Sequence, residues 1–259
     1  MLGITMAGQA RSLLGLGDQL QFTSFPENFF KSTGEKLIDV DNNELFNYNP
    51  YVIRGVEPKS VLDLWRMTDV AQGGISYDKN KCILSLSEKN IYIANKILNM
   101  NLQVFLRTPR LYIHEDLKIK SNQIVVHFFG KSHKPIPEKV IYKIKENYKD
   151  FNIIQVGGEN QKKYDIFENG MGLSIFDTAK IIAESILFIG INSGMLNIAL
   201  CYPKVNKRMI LNYDDKGYDL ENMIPMDAQN GHYHWLDFGV PIFNTSEQDV
   251  GVTKSYIYI

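Results

Sequence analysis

From residue 123 to 212, short β-branched and apolar runs alternate with stretches whose apolar residues recur at helix spacing, and this rhythm constrains the fold most. The run QIVVHFF (123–129) is a buried strand by its composition. Pro137 then opens a helical stretch with Val140, Ile141, Ile144 and Tyr148 on one face and mostly lysines on the other. A second strand is expected over 151–156, closed by Gly157-Gly158, and a helix begins near Ser174, with Ile175, Phe176, Ala179, Ile182 and Ala183 as its apolar stripe. A strand over 186–191 follows, Ser193-Gly194 opens a helix running to Ala199, and 208–212 reads as a further strand. Buried strands alternating with amphipathic helices form βαβ units, and hence a parallel sheet covered on both faces.

The first half follows the same logic with longer connections. Strands are expected over 4–7, 36–40 and 103–106, and helices over 18–30, interrupted by Pro26, and 89–98; residues 42–55 read as loop. Thr108-Pro109-Arg110 is the expected linker, because proline holds an extended path between two patterned halves. This divides the 259 residues into domains 1–107 and 108–259. Lys+Arg is 28 against Asp+Glu 29, a balance that argues against wholesale binding of a nucleic-acid backbone. The two cysteines, Cys82 and Cys201, lie in apolar surroundings and read as reduced, buried thiols. The start of the chain lacks the basic and apolar regions of a signal peptide, and no window carries the ~18 apolar residues that span a bilayer, so a cytoplasmic protein is expected.

In open parallel sheets ligands sit beyond the carboxyl ends of the strands, so the strand-to-helix turns hold the candidate chemistry. After 129, Gly130 permits close backbone approach and Lys131, His133 and Lys134 follow; the loop can hold a diphosphate or be a solvated basic loop. After 191, Asn192-Ser193-Gly194 places a polar amide, a hydroxyl and a glycine at a helix start, where a ligand role and plain helix capping both fit. Near the chain start, Gly15, Gly17 and Asp18 precede a helix; Asp18 can be a cap or a general base. Asp39-Val40-Asp41 has the D-x-D form but reads as a solvated strand end, and His232-Tyr233-His234-Trp235 offers two imidazoles without an evident third metal ligand.

These motifs, in this order, resemble the heptosyltransferases, family 9 glycosyltransferases that move heptose from ADP-heptose onto lipopolysaccharide core. The resemblance is strongest from 124 to 200. It implies two Rossmann-like α/β domains of GT-B type facing a cleft, the first on the acceptor side and the second binding the nucleotide sugar. It implies that Gly17-Asp18 supplies the catalytic base, and that Lys134, in the loop running from His127 to Pro137-Glu138, binds donor phosphate beside Gly130. Glu159 after Gly157-Gly158 takes the ribose-binding position, and Leu173 and Ser174 the base-contacting one. Asn192, Ser193, Gly194, Met195 and Asn197 fall on the Asp-Ser/Thr-Gly-x-x-His signature, with Asn192 in place of Asp and Asn197 in place of His.

The implied activity is inverting, metal-independent transfer of heptose or a related sugar from a nucleotide-diphosphate donor to a glycan or lipid-linked hydroxyl. No cofactor beyond that donor and no nucleic acid is implied, and a lipid-linked acceptor would bring the enzyme to the inner membrane as a peripheral protein. Two other readings fit the same architecture: a nucleotide-sugar epimerase or hydrolase, and a non-catalytic nucleotide-sugar-binding protein.

Overall fold

A computed structural model describes residues 1–6, 15–64, 86–130, 136–191, 193–211 and 242–244. The chain divides into two compact units, one reaching to His114 and the other starting at Glu115. Residues 108–114 belong to the first because they are tied to it: the Arg110 amide donates to Thr23 Oγ1 at 2.9 Å, and the Tyr112 hydroxyl donates to Glu27 at 2.5 Å. The second unit begins with ion pairs to its own helices and turns, Glu115 to Lys180 and Lys120 to Glu184.

The first unit holds a sheet of β1 (Leu2–Thr5), β2 (Leu37–Asp39), β3 (Val52–Ile53) and β4 (Ser60–Asp63), all parallel, in the order β3-β2-β1-β4. Its helices are α1 (Leu16–Leu20), α2 (Phe25–Thr33) and α3 (Leu86–Leu98). Contrary to the expectation, Pro26 does not interrupt a helix but occupies the first turn of α2, where its missing N–H costs nothing. The break falls instead in the turn at 21–24. At the other end Gly34 (φ +77°) closes α2 in the left-handed conformation, its N–H returning to the Phe30 carbonyl.

The strand expected over 103–106 is not one. Its amides are held by side chains of α2: Phe105 and Leu106 N–H donate to Asn28 Oδ1 at 2.7 and 2.8 Å, and Gln103 N–H to Ser32 Oγ at 2.8 Å. Asn28, fully buried, thus substitutes for a neighbouring strand.

The second unit holds a six-stranded, wholly parallel sheet in the order β10-β9-β8-β5-β6-β7. The strands are β5 (Lys120–His127), β6 (Asn152–Gly157), β7 (Glu168–Met171), β8 (Ser185–Gly190), β9 (Asn206–Leu211) and β10 (Ile242–Asn244). The helices are α4 (Glu138–Asn147), α5 (Ile175–Ala183) and α6 (Gly194–Leu200). Strands and helices expected between 123 and 211 occur within a few residues of their predicted places; β7, a short polar edge strand, was not foreseen. Ile124 and Val126 pack with Val140, Ile141 and Ile144 of α4 in one core. Val125 and Phe188, equally buried, alternate to the opposite face, and α5 and α6 pack against β8. Cys201 is a buried, reduced thiol as expected; Cys82 and 232–235 lie outside the described residues.

Candidate functional site

In the second sheet the chain lays down β5, moves outward through β6 and β7, and returns to the far side of β5 for β8, β9 and β10. The order therefore reverses between β5 and β8, and the crevice beyond their carboxyl ends is where such sheets take ligands. Two polar side chains meet there. His127 ends β5, is 2% exposed, and lies with Nδ1 3.0 Å from the Ser193 hydroxyl just beyond β8. Burial pushes the imidazole down from its ordinary 6.5 to about 4, against a hydrogen bond to the Gln161 side chain that favours its charged form. The ring is neutral at pH 7.

Local sequence makes room for this pair. A side chain at Gly190 would meet the Phe188 ring at 2.8 Å and the His127 carbonyl at 3.0 Å. Gly157, at φ +155°, lies beneath the ring: a Cβ there would come within 3.4 Å of His127 Cδ2 and 2.3 Å of Gln161 Oε1. Gln161 Oε1 accepts the Gly158 N–H at 2.9 Å. Its loop is anchored by buried Gln155, which donates to the Lys162 carbonyl and accepts the Tyr164 N–H, both at 2.8 Å.

Ser193 begins α6 with extended backbone (φ −159°, ψ 173°), but its side chain makes no capping bond. The capping role that fits this sequence is replaced by the bond to His127. Asn197 is buried in α6, its amide donating to the Ser193 carbonyl at 3.2 Å and its own carbonyl accepting from Cys201 Sγ. Gly194 and Met195 form the first turn of the same helix, and Gly130 follows β5, each half-buried.

Beyond β6 and β7, Gly172 (φ +73°) returns its N–H to the Gly157 carbonyl at 2.9 Å and lies against Glu159, whose side chain is exposed. Leu173 is exposed as well. Ser174 caps α5, accepting the Asp177 N–H at 3.1 Å and donating to its carboxylate at 2.6 Å. The structure thus brings Gly130, Glu159, Leu173, Ser174, Ser193 and Gly194 to one edge of the second sheet. Lys134 and Asn192 lie outside the described residues. In the first unit Gly17 and Asp18 stand in α1.

The Asp39–Asp41 motif is not a solvated strand end. Asp39 is 3% exposed and takes the Arg54 guanidinium, Nε at 3.0 Å and a terminal nitrogen at 2.9 Å. Burial raises its carboxyl above the usual range despite that cation. Asp41 accepts the Thr5 hydroxyl at 2.6 Å and the Met6 N–H at 2.7 Å, so both carboxylates fasten loops to the sheet. Among the described residues no cluster of three or more His, Cys, Asp or Glu could hold a metal, and no helix is long and apolar enough to cross a membrane.

Gln161 carried no signal in the sequence, because a glutamine in a polar loop is unremarked until its loop folds back. His127 had one: a polar ring at the tip of an apolar strand.

No protein-family model and no curated protein sequence matches the chain. Solved structures do. A family 9 glycosyl transferase from Veillonella parvula superposes with a TM-score of 0.56 at 11% identity, over 81% of this chain and 79% of the other. The E. coli heptosyltransferase WaaC, solved with ADP-2-deoxy-2-fluoro heptose, gives 0.56 at 10% identity over 91% and 98%. The E. coli ADP-heptose lipopolysaccharide heptosyltransferase II gives 0.54 at 10% identity over 81% and 84%. The chain therefore has an α/β fold of GT-B type, with parallel sheets covered by helices, shared with glycosyltransferases of family 9.

Proposed function

We propose that the protein is a glycosyltransferase that moves heptose or a related sugar from a nucleotide-diphosphate donor, such as ADP-heptose, to a hydroxyl of a glycan or lipid-linked acceptor. One observation carries this reading. On a fold shared with enzymes solved with ADP-sugars, residues matching the donor motifs, from Glu159 to Ser193-Gly194, lie along the carboxyl edge of the second sheet beside its switch point. In this reading the first unit, to His114, forms the acceptor side and the second, from Glu115, the donor side.

The chemistry needs two things. Negative charge develops on the departing diphosphate, and the acceptor hydroxyl must lose a proton as it attacks the anomeric carbon. Lys134 and the backbone amides at Ser193-Gly194 stabilise the diphosphate, a role that requires no metal. Gly130 lets the backbone approach the phosphates, Glu159 accepts from the ribose hydroxyls, and Leu173 and Ser174 border the base through their backbone. Met195 and Asn197 shape the turn that carries Ser193, and Asn192 meets the donor as a neutral amide. Asp18, next to Gly17, takes the acceptor proton. The new C–O bond forms as the bond to the diphosphate breaks on the opposite face, which inverts the anomeric centre. A lipid-linked acceptor makes the enzyme cytoplasmic and peripheral to the inner membrane.

A thermal-shift panel of nucleotide sugars tests the donor, because a ligand that binds only the folded state raises the melting temperature. Asp18→Ala is expected to abolish transfer while the nucleotide-induced rise persists. Undiminished transfer by that variant removes Asp18 as the base.

A further inference from the structure

The bond between His127 and Ser193 joins residues 66 positions apart across the switch point, and it takes Ser193 away from the capping bond its position invites. The ring has two edges. Nδ1 faces Ser193, and the Cδ2 edge lies toward Gln161: a Cβ at Gly157 would sit 3.4 Å from His127 Cδ2 and 2.3 Å from Gln161 Oε1, and the Gln161 side chain favours the ring's charged form. Gln161 Oε1 already accepts from Gly158 N–H, and a carbonyl oxygen can accept a second bond. A neutral imidazole offers one donor and one acceptor. With an acceptor on the Gln161 side, Nε2 carries the proton and Nδ1 accepts a hydrogen bond that the Ser193 hydroxyl donates.

We infer that His127 is a positioning residue for the donor site: as the Nε2–H tautomer it ties the turn after β8 (Ser193) to the turn after β6 (Gly157-Gly158) through Gln161, holding the Ser193 hydroxyl and the two donor-facing turns in fixed register. This rests on the transferase reading for the identity of the ligand, but not for the relay itself. The relay spans the ends of three adjacent strands, β8, β5 and β6. It is internal on the His127 side and half-exposed at Ser193, as expected of a support that presents a group to a ligand without touching it.

The two amide replacements for histidine separate the edges. His127→Asn places an amide oxygen near Nδ1, so it keeps an acceptor for Ser193 and gives up Gln161. His127→Gln reaches toward Nε2, so it keeps a donor for Gln161 and gives up Ser193. Calorimetric titration with ADP is expected to show about tenfold weaker binding for His127→Gln and for Ser193→Ala, the consequence of one lost hydrogen bond. His127→Asn, which keeps Ser193 but gives up Gln161, should fall between wild type and His127→Gln. The double variant His127→Gln/Ser193→Ala should lose no more than either single change, since both break the same bond.

Circular dichroism and melting temperature confirm that the variants are folded. In the ligand-free protein, ¹⁵N NMR of the imidazole should show a protonated Nε2 and an Nδ1 resonance that moves in Ser193→Ala. Wild-type binding of ADP that none of these variants alters, or that the two changes weaken additively, overturns the positioning role. A protonated Nδ1 overturns the relay whether or not ADP binds. A wild-type protein that binds no ADP and no nucleotide sugar overturns the transferase reading and the donor role of His127, while the NMR result still decides the relay.

Discussion

Acid should destabilise this protein through one residue in particular. His127 is buried and neutral, and its ionisation is pushed down from 6.5 to about 4. Above pH 6.5 neither the folded nor the unfolded chain protonates the ring, so it contributes no pH dependence. As pH falls from 6.5 towards 4 the unfolded chain gains a proton that the folded chain refuses, and stability drops by about 1.4 kcal/mol per pH unit. Between pH 7.5 and 4.5 the loss comes to about 2.5 kcal/mol. Urea unfolding followed by circular dichroism, run at both pH values on wild type and His127→Gln, isolates the effect. Carboxylates such as Asp39 and Glu184 contribute to both proteins and cancel in the comparison. Wild type should lose about 2.5 kcal/mol more than the variant. Equal losses would refute the reasoning, since they would mean that the ring accepts a proton in the folded state as readily as in the unfolded one.

Gly190→Ala should cost about 1–3 kcal/mol in urea unfolding, because the new methyl meets the buried Phe188 ring and the backbone carbonyl of His127, which cannot yield. Asn28→Ala leaves the Phe105 and Leu106 amides without their acceptor and should cost about 2 kcal/mol, read by the same assay. Arg54→Ala leaves a nearly buried carboxylate at Asp39 without its cation. It should cost about 3 kcal/mol at pH 7 and less as acid neutralises Asp39, so a loss that does not shrink on acidification counts against it.

The fold was legible wherever burial alone decides structure. The apolar runs at 123–129 and 186–191 became the two central strands, because a parallel strand covered on both faces needs unbroken apolar sequence. The misreadings arose where side chains replaced backbone partners. The apolar stretch 103–106 looks like a strand, yet its amides are satisfied by Asn28 and Ser32, polar residues of a helix some seventy positions earlier. Glu168–Met171 has no apolar run because it pairs on the sheet's edge. Asp39 looked solvated because Arg54, fifteen residues on, is invisible as its partner until the loop folds back. The candidate site divides the same way. The turn after an apolar strand identified Ser193, and the family resemblance pointed to Glu159 and Ser174, whereas the His127–Ser193–Gln161 relay depends on strand order that spacing along the chain does not encode.

The central claim is that a nucleoside diphosphate is held at the carboxyl edge of the second sheet, with Lys134 as its cation. Titration calorimetry of ADP into wild type and Lys134→Ala tests it most directly. The account predicts measurable binding by wild type and at least about tenfold weaker binding by the variant, the loss of a charge-assisted contact. Binding of equal strength in both proteins, or none in either, would contradict it.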